Sequence, residues 1–206
     1  MENILFMDIE TTANKKAIEF MPEPSAPSNY KDEAKIAAYI VEKKAESVSR
    51  AALDPDFGRI IAISYARGIT DFITVLTAKT EKEERRIIEE FWEVASNRLL
   101  CGYNVVAFDL PFLMRRSMEL GITITNIPNL YKYRTDYVLD LMNILYNFAN
   151  FKSLKFVTRR YGIEDPLPEV CGEHVDYMKD DELVAYSANG TDLVMKLFKK
   201  MIGVYF

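Results

Sequence analysis

Asp8 and Glu10 stand one residue apart near the end of the apolar run ILFMDIETT, residues 4 to 12. Successive side chains of a strand point to opposite faces, so the two carboxylates share a face, roughly 7 Å apart. Ile4 and Phe6 precede them on that face, and Leu5, Met7 and Ile9 fill the other. Apolar residues on both faces describe a central strand covered on both sides. Two like charges in such a place repel, burial penalises each further, and a cation held between them removes the penalty. Asp109, at a helix start in GYNVVAFDLPFL (102–113), and Asp192, near the front of a C-terminal helix in YSANGTDLV (186–194), add two acids at element ends. The four make an oxygen-rich set suited to hard cations such as Mg²⁺ or Mn²⁺. Taken singly, Asp109 reads as a helix N-cap and Asp192 as a first-turn acid favoured by the helix dipole. Asp8 and Glu10 have no such structural reading.

The elements that must position these acids follow from periodicity. Strands are predicted at about 2–8, 59–66 and 70–76, the last two joined as a hairpin through Arg67-Gly68-Ile69. Residues 81–96 carry Ile87, Ile88, Phe91, Trp92 and Ala95 at helical spacing, with acids in the first turn. A short strand, LLCGY, comes next, and a helix over 109–120 is opened by Asp109 and Pro111 and stopped by Gly121. Further helices are predicted at 136–148, 153–161 and 180–202. The order predicts an α/β fold, a mixed sheet flanked by helices. Residues 13–57 form an insertion of a proline-rich loop, a charged helix and the return segment LDPDFGRI.

With 206 residues, 49% of them hydrophobic, the chain can bury one sizeable core, and the expectation is a single domain over 1–206. A net charge of −5 excludes a broadly basic protein that coats nucleic acid, but not an acidic site neutralised by metal. Cys101 reads as a small core residue, and with Cys171 as the only other cysteine the chain reads as reduced and cytoplasmic. No apolar run reaches the ~18 residues of a membrane span. Asp140, amid the apolar VLDLMN, reads as a local cap outside the site. His174, the only histidine, reads as an exposed loop residue, which leaves no base for a serine or cysteine nucleophile. Lys152, Lys155, Arg159 and Arg160 read as a solvated helix face, and Tyr131, Tyr133, Tyr146, Phe148 and Phe151 mainly as core.

DIET at 8–11, NVVAFD at 104–109 and Asp192 resemble the three motifs of the DEDD superfamily of 3′→5′ exonucleases, which share a ribonuclease H-like fold. The resemblance is strongest to the exonuclease domain of family-B DNA polymerases and its stand-alone relatives. ALDPDFGRI, VLDLMN and KSLKFVTRRYGI extend it over nearly the whole chain. It implies a two-metal hydrolase that releases 5′-mononucleotides from 3′ ends, chiefly of single-stranded DNA. Two Mg²⁺ or Mn²⁺ ions, about 3.5–4 Å apart, would be held by Asp8, Glu10, Asp109 and Asp192. Thr11, Asn104 and Phe108 would contact the terminal nucleotides. The expectation is of no membrane association and no polymerase domain in this chain. The alternatives are the same chemistry on RNA and a degenerate, non-catalytic nucleic-acid-binding domain.

One departure stands out. In the superfamily a tyrosine four residues, or a histidine five residues, before the last aspartate positions the attacking water. Here those places hold Ala188 and Ser187, and Tyr186 lies six before Asp192. On an unbroken helix Tyr186 would sit about 120° away from Asp192, with Ser187 as the nearer substitute. The Asn189-Gly190 pair predicts an interruption that turns Tyr186 inward.

Overall fold

The computed structural model describes residues 2–69, 72–124, 127–131, 138–170 and 172–206. Cys171, Tyr133 and the His174 side chain lie outside the described residues. The first strand, β1 (Ile4–Ala13), is followed by a short helix α1 (Lys15–Ile18) and by α2 (Glu33–Ser49), which Asp32 caps by accepting from the Ala34 N–H at 2.9 Å. A 3₁₀ turn at Ala51–Leu53 leads into β2 (Gly58–Arg67) and β3 (Thr74–Thr77). α3 (Glu81–Ala95) opens with a reciprocal capping box between Thr80 and Glu83. β4 (Leu99–Gly102) and α4 (Asp109–Leu120) follow, then β5 (Val138–Asp140), α5 (Leu141–Tyr146), α6 (Leu154–Arg160) and α7 (Asp180–Met201).

The sheet order is β3-β2-β1-β4-β5. β1 pairs antiparallel with β2 and parallel with β4, β2 pairs antiparallel with β3, and β4 pairs parallel with β5. The mixed sheet and the central place of β1 match the expectation from sequence. Leu5, Met7 and Ile9 pack into one core with Ile87, Ile88 and Phe91 of α3 and Leu110, Phe112 and Leu113 of α4. Ile4 and Phe6 pack into a second core with Val194, Leu197 and Phe198 of α7 and with Cys101.

Three expectations are corrected. The helix expected over 136–148 is a strand and a helix: Val138 and Leu139 pair with Leu100 and Cys101, and Asp140 then caps α5. So short a buried apolar stretch carries no period that separates strand from helix, and pairing to β4 decides it. β1 runs beyond residue 8 to Ala13, because β2 continues to pair with it up to Ala13↔Gly58. Asp8 and Glu10 therefore lie within the strand, not at its end. Finally, α7 is continuous through Asn189-Gly190. Tertiary contacts override the poor helix propensity of that pair: Asn189 donates to Asp165 at 3.0 Å, and the flanking Ser187 and Thr191 are tied to Ser64 of β2.

The insertion leaves and re-enters the sheet at one point. The Asn14 N–H donates to the Phe57 carbonyl at 2.8 Å, and the Thr11 hydroxyl to the Ala52 carbonyl at 2.6 Å. No helix among the described residues is long and apolar enough to cross a membrane.

Candidate active site

β4 pairs with β1 only as far as Phe6↔Cys101, whereas β2 follows β1 to its end. Beyond Phe6 the β4-side edge of β1 therefore needs other partners for its backbone groups. The chain turns back immediately after Gly102, where a Cβ would come within 2.8 Å of Val105 Cβ. Asp140 holds that turn in place. Its Oδ1 accepts from the Asn104 N–H at 3.0 Å and its Oδ2 from the Val106 N–H at 3.1 Å, while Oδ1 also caps α5. Asp140 is thus a structural acid, as its sequence context indicated, and it fixes the loop that carries Asn104 and Phe108.

That loop delivers Asp109 to β1. The N-cap position belongs to Phe108, and Asp109 is the first helical residue. Its Oδ1 accepts from the Ile9 N–H at 3.1 Å, so the carboxylate ties the start of α4 to β1. Asp109 is only 3% exposed and Glu10 only 8%. Burial pushes the Asp8 carboxyl up to about 7, although the Ile9 N–H partly opposes the rise. Burial raises Glu10 well above the usual carboxylate range, with the charges of Asp8 and Asp109 adding to it. Asp109 is raised by burial and then by Asp8. None of the three is ion-paired to a lysine or arginine among the described residues. The structure brings Asp8, Glu10 and Asp109 together as a mutually repelling buried group.

It does not bring Asp192 to them. The α7 residue against Asp8 is Gly190: a Cβ there would overlap Asp8 Oδ2 and lie 3.0 Å from its Cγ. Asp192, two residues on, is about 200° further round the helix. Its Oδ2 pairs with Lys196 Nζ at 2.7 Å, and the same ammonium donates to the Glu164 carbonyl at 3.3 Å. Ser187 is buried with its carbonyl accepting from Ser64 Oγ at 2.8 Å, and its own hydroxyl has no partner among the described residues.

On the unbroken α7, Tyr186 lines a separate cavity with Leu167, Tyr177 and Glu182, next to the site. Its hydroxyl lies 3.7 Å from where a Cβ on Gly172 would stand. Gly172 lines a cavity of about 660 Å³ together with Ile9, Glu10, Thr11, Phe108, Arg50 and Leu53. Tyr186 and Gly190 are four residues apart and share a face of α7. The spacing of a tyrosine followed four residues later by Gly190 was open to view in the sequence. The contributions of Arg50 and Leu53, from the insertion, and of Gly172 were not, since nothing local ties those segments to β1. Phe108 forms part of the wall and packs on Phe112, with ring centroids 5.0 Å apart. The Thr11 hydroxyl is committed to the insertion through Ala52.

The donor chemistry of Asp8, Glu10 and Asp109, all carboxylate oxygen, fits a hard divalent cation. No three acidic, His or Cys side chains among the described residues converge as ligands on one point. A pair of ions held by four carboxylates does not fit, because Asp192 is turned away.

A family of predicted 3′-5′ exonucleases related to the exonuclease domain of PolB has a model that matches residues 52–163, more than half of the chain. No curated protein matches the chain. Among solved structures, the family B DNA polymerase from the hyperthermophilic archaeon Pyrobaculum calidifontis superimposes with a TM-score of 0.60 at 19% identity. The superposition covers 97% of this chain and 24% of the polymerase, so the chain spans about a quarter of that protein's length. The fold is thus α/β and ribonuclease H-like, similar to a polymerase exonuclease domain.

Proposed function

Since the chain belongs to the family of predicted 3′-5′ exonucleases related to the exonuclease domain of PolB, we propose that it hydrolyses the terminal phosphodiester bond at 3′ ends of single-stranded DNA and releases 5′-mononucleotides. The observation that carries this reading is the group formed by the buried carboxylates Glu10 and Asp109 and the half-buried Asp8, without a cationic partner among the described residues, beside a cavity wide enough for a nucleotide. When bound by these three, a divalent cation such as Mg²⁺ or Mn²⁺ supplies the charge that acidifies the attacking water and steadies the leaving oxygen. The protein's own residues do the rest. Phe108 offers a ring on which the terminal base stacks. Arg50, from the insertion, places a positive charge at the cavity for a backbone phosphate. Asn104, in the loop held by Asp140, contacts the terminal nucleotides. Thr11 anchors the wall of the insertion beside the strand end. Tyr186 orients the attacking water through its hydroxyl.

The test is release of mononucleotides from a 3′-labelled oligonucleotide in Mn²⁺, run on DNA and RNA of the same sequence. No release from either overturns the proposal, and release from RNA alone moves the substrate to RNA. One observation favours a second reading, a nucleic-acid-binding domain with little or no catalysis: the glycine at position 190 beside Asp8. Retained oligonucleotide binding without mononucleotide release would select it.

Two expected results follow from the site. Saturating Mn²⁺, at about 100 times its dissociation constant, should stabilise the fold by roughly 2.7 kcal/mol and raise the melting temperature by roughly 5–10 °C over EDTA. Equal melting curves would mean that the carboxylates do not take the ion. Tyr186→Phe should slow single-turnover cleavage by about 10- to 1000-fold, depending on how much of its hydrogen bond is preorganised. A rate within a few-fold of the parent would remove Tyr186 from the site.

A further inference from the structure

α7 meets β1 through a glycine, and everything around that glycine fixes the helix in this rotation. Ser64 of β2 donates to the Ser187 carbonyl at 2.8 Å, and its hydroxyl lies 2.7 Å from that of Thr191. Val194 and Phe198 continue the same face into the core. Gly190 falls between these anchors, at the point where the Asp8 carboxylate packs. A glycine in the middle of a helix is unfavourable relative to alanine, and here the absence of a Cβ is what gives Asp8 its space. Bringing Asp192 to that place would take a rotation of about 200°. Such a turn would break the Ser64 contacts, withdraw Val194 and Phe198 from the core, and separate Asp192 from Lys196.

We infer that α7 withholds the fourth metal ligand, so that the site takes one divalent ion per chain, and that Gly190→Asp restores a second. The inference rests on the three-carboxylate reading given above. At position 190 an acid would sit four residues after Tyr186, on the face that meets Asp8. Its side chain would displace Asp8 Oδ2, the mobile end of a short side chain, away from the helix. Asp192, occupied by Lys196, contributes nothing to ion binding.

Calorimetric titration of Mn²⁺ into the full chain reads the stoichiometry directly. Four proteins are needed: the parent, Gly190→Asp, Gly190→Ala and Asp192→Asn, each checked for folding by circular dichroism. The expected counts are one ion for the parent, one for Gly190→Ala, one for Asp192→Asn with an unchanged dissociation constant, and two for Gly190→Asp. Gly190→Asp is also expected to raise the rate of mononucleotide release at least 10-fold. Two ions in the parent, falling to one in Asp192→Asn, would overturn the inference and leave the exonuclease reading standing. No ion in the parent would overturn both. A folded Gly190→Asp that still takes one ion would overturn the inference alone. Should that variant fail to fold, the parent and Asp192→Asn counts decide the matter.

Discussion

Asp8→Asn is expected to cut mononucleotide release below about one-hundredth of the parent rate, while raising the melting temperature of the metal-free protein at pH 8. The two effects have one cause. Burial holds the Asp8 carboxyl up at about 7 in the folded chain, against an unfolded value near 3.9. A carboxyl raised in this way binds its proton more tightly when folded. Its contribution to stability is complete below about pH 4 and is lost as the pH rises through 7. Above that range the ionised form costs about 4 kcal/mol, and Glu10 and Asp109, raised in the same direction, add to the loss. In EDTA the parent should therefore melt progressively lower from pH 4 to pH 8. Asparagine keeps the shape and removes the charge, so its curve should be flatter and should cross above that of the parent. Equal pH dependence in the two proteins would show that Asp8 is not under this strain. An unfolded variant would show that it is structural.

Glu84→Ala is expected to destabilise the fold by about 3 kcal/mol, because it strips the buried guanidinium of its contacts at Nε and Nη2 and leaves it only Glu119, at Nη1. Glu84 and Arg116 are 0% and 1% exposed at the side chain. Glu84 Oε1 accepts from Arg116 Nε at 2.7 Å and from the Ile60 N–H at 2.8 Å, and Oε2 accepts from Arg116 Nη2 at 2.8 Å. One carboxylate thus joins α3, α4 and β2. Replacing both partners by apolar residues of similar size, Glu84→Leu with Arg116→Met, should recover most of the loss. Urea midpoints of the single and double variants measure both. A single variant within about 1 kcal/mol of the parent would show that the pair is readily replaced by water.

Glu84 also marks where sequence reading stops. In EKEERRIIEEFWEVA it passes as one of several first-turn acids, and only the approach of α4 reveals that it is buried. The acids of β1 were legible for the opposite reason. Strand alternation is local, so the face shared by Ile4, Phe6 and Asp8 could be read directly, and all three do meet α7. α3 and α4 were legible from period and caps, and so was the pairing of the hairpin, although β3 is Thr74–Thr77 where a strand over 70–76 was expected. β5 was not, since its pairing with β4 links positions nearly forty residues apart. The rotation of α7 was not legible either: propensity argued for a break at Asn189-Gly190, and packing against β2 and Asp8 outweighed it. Residue type and place in the chain point to Asp192, whereas the helix presents Gly190 to Asp8.

The meeting of Asn14 with Phe57 carries one more consequence. β1 and β2 are antiparallel neighbours, so the whole of 14–57 is, in topological terms, the loop of one oversized hairpin. Its ends are already joined by the ladder, and the entropy of closing such a loop depends only weakly on its length. The segment is in this sense a cassette: it can be lengthened, shortened or exchanged without altering the register of a single strand. Because Arg50 and Leu53 ride on it while Asp8 and Glu10 ride on the sheet and Asp109 on α4, the choice of what enters the cavity can change independently of the groups that act on it.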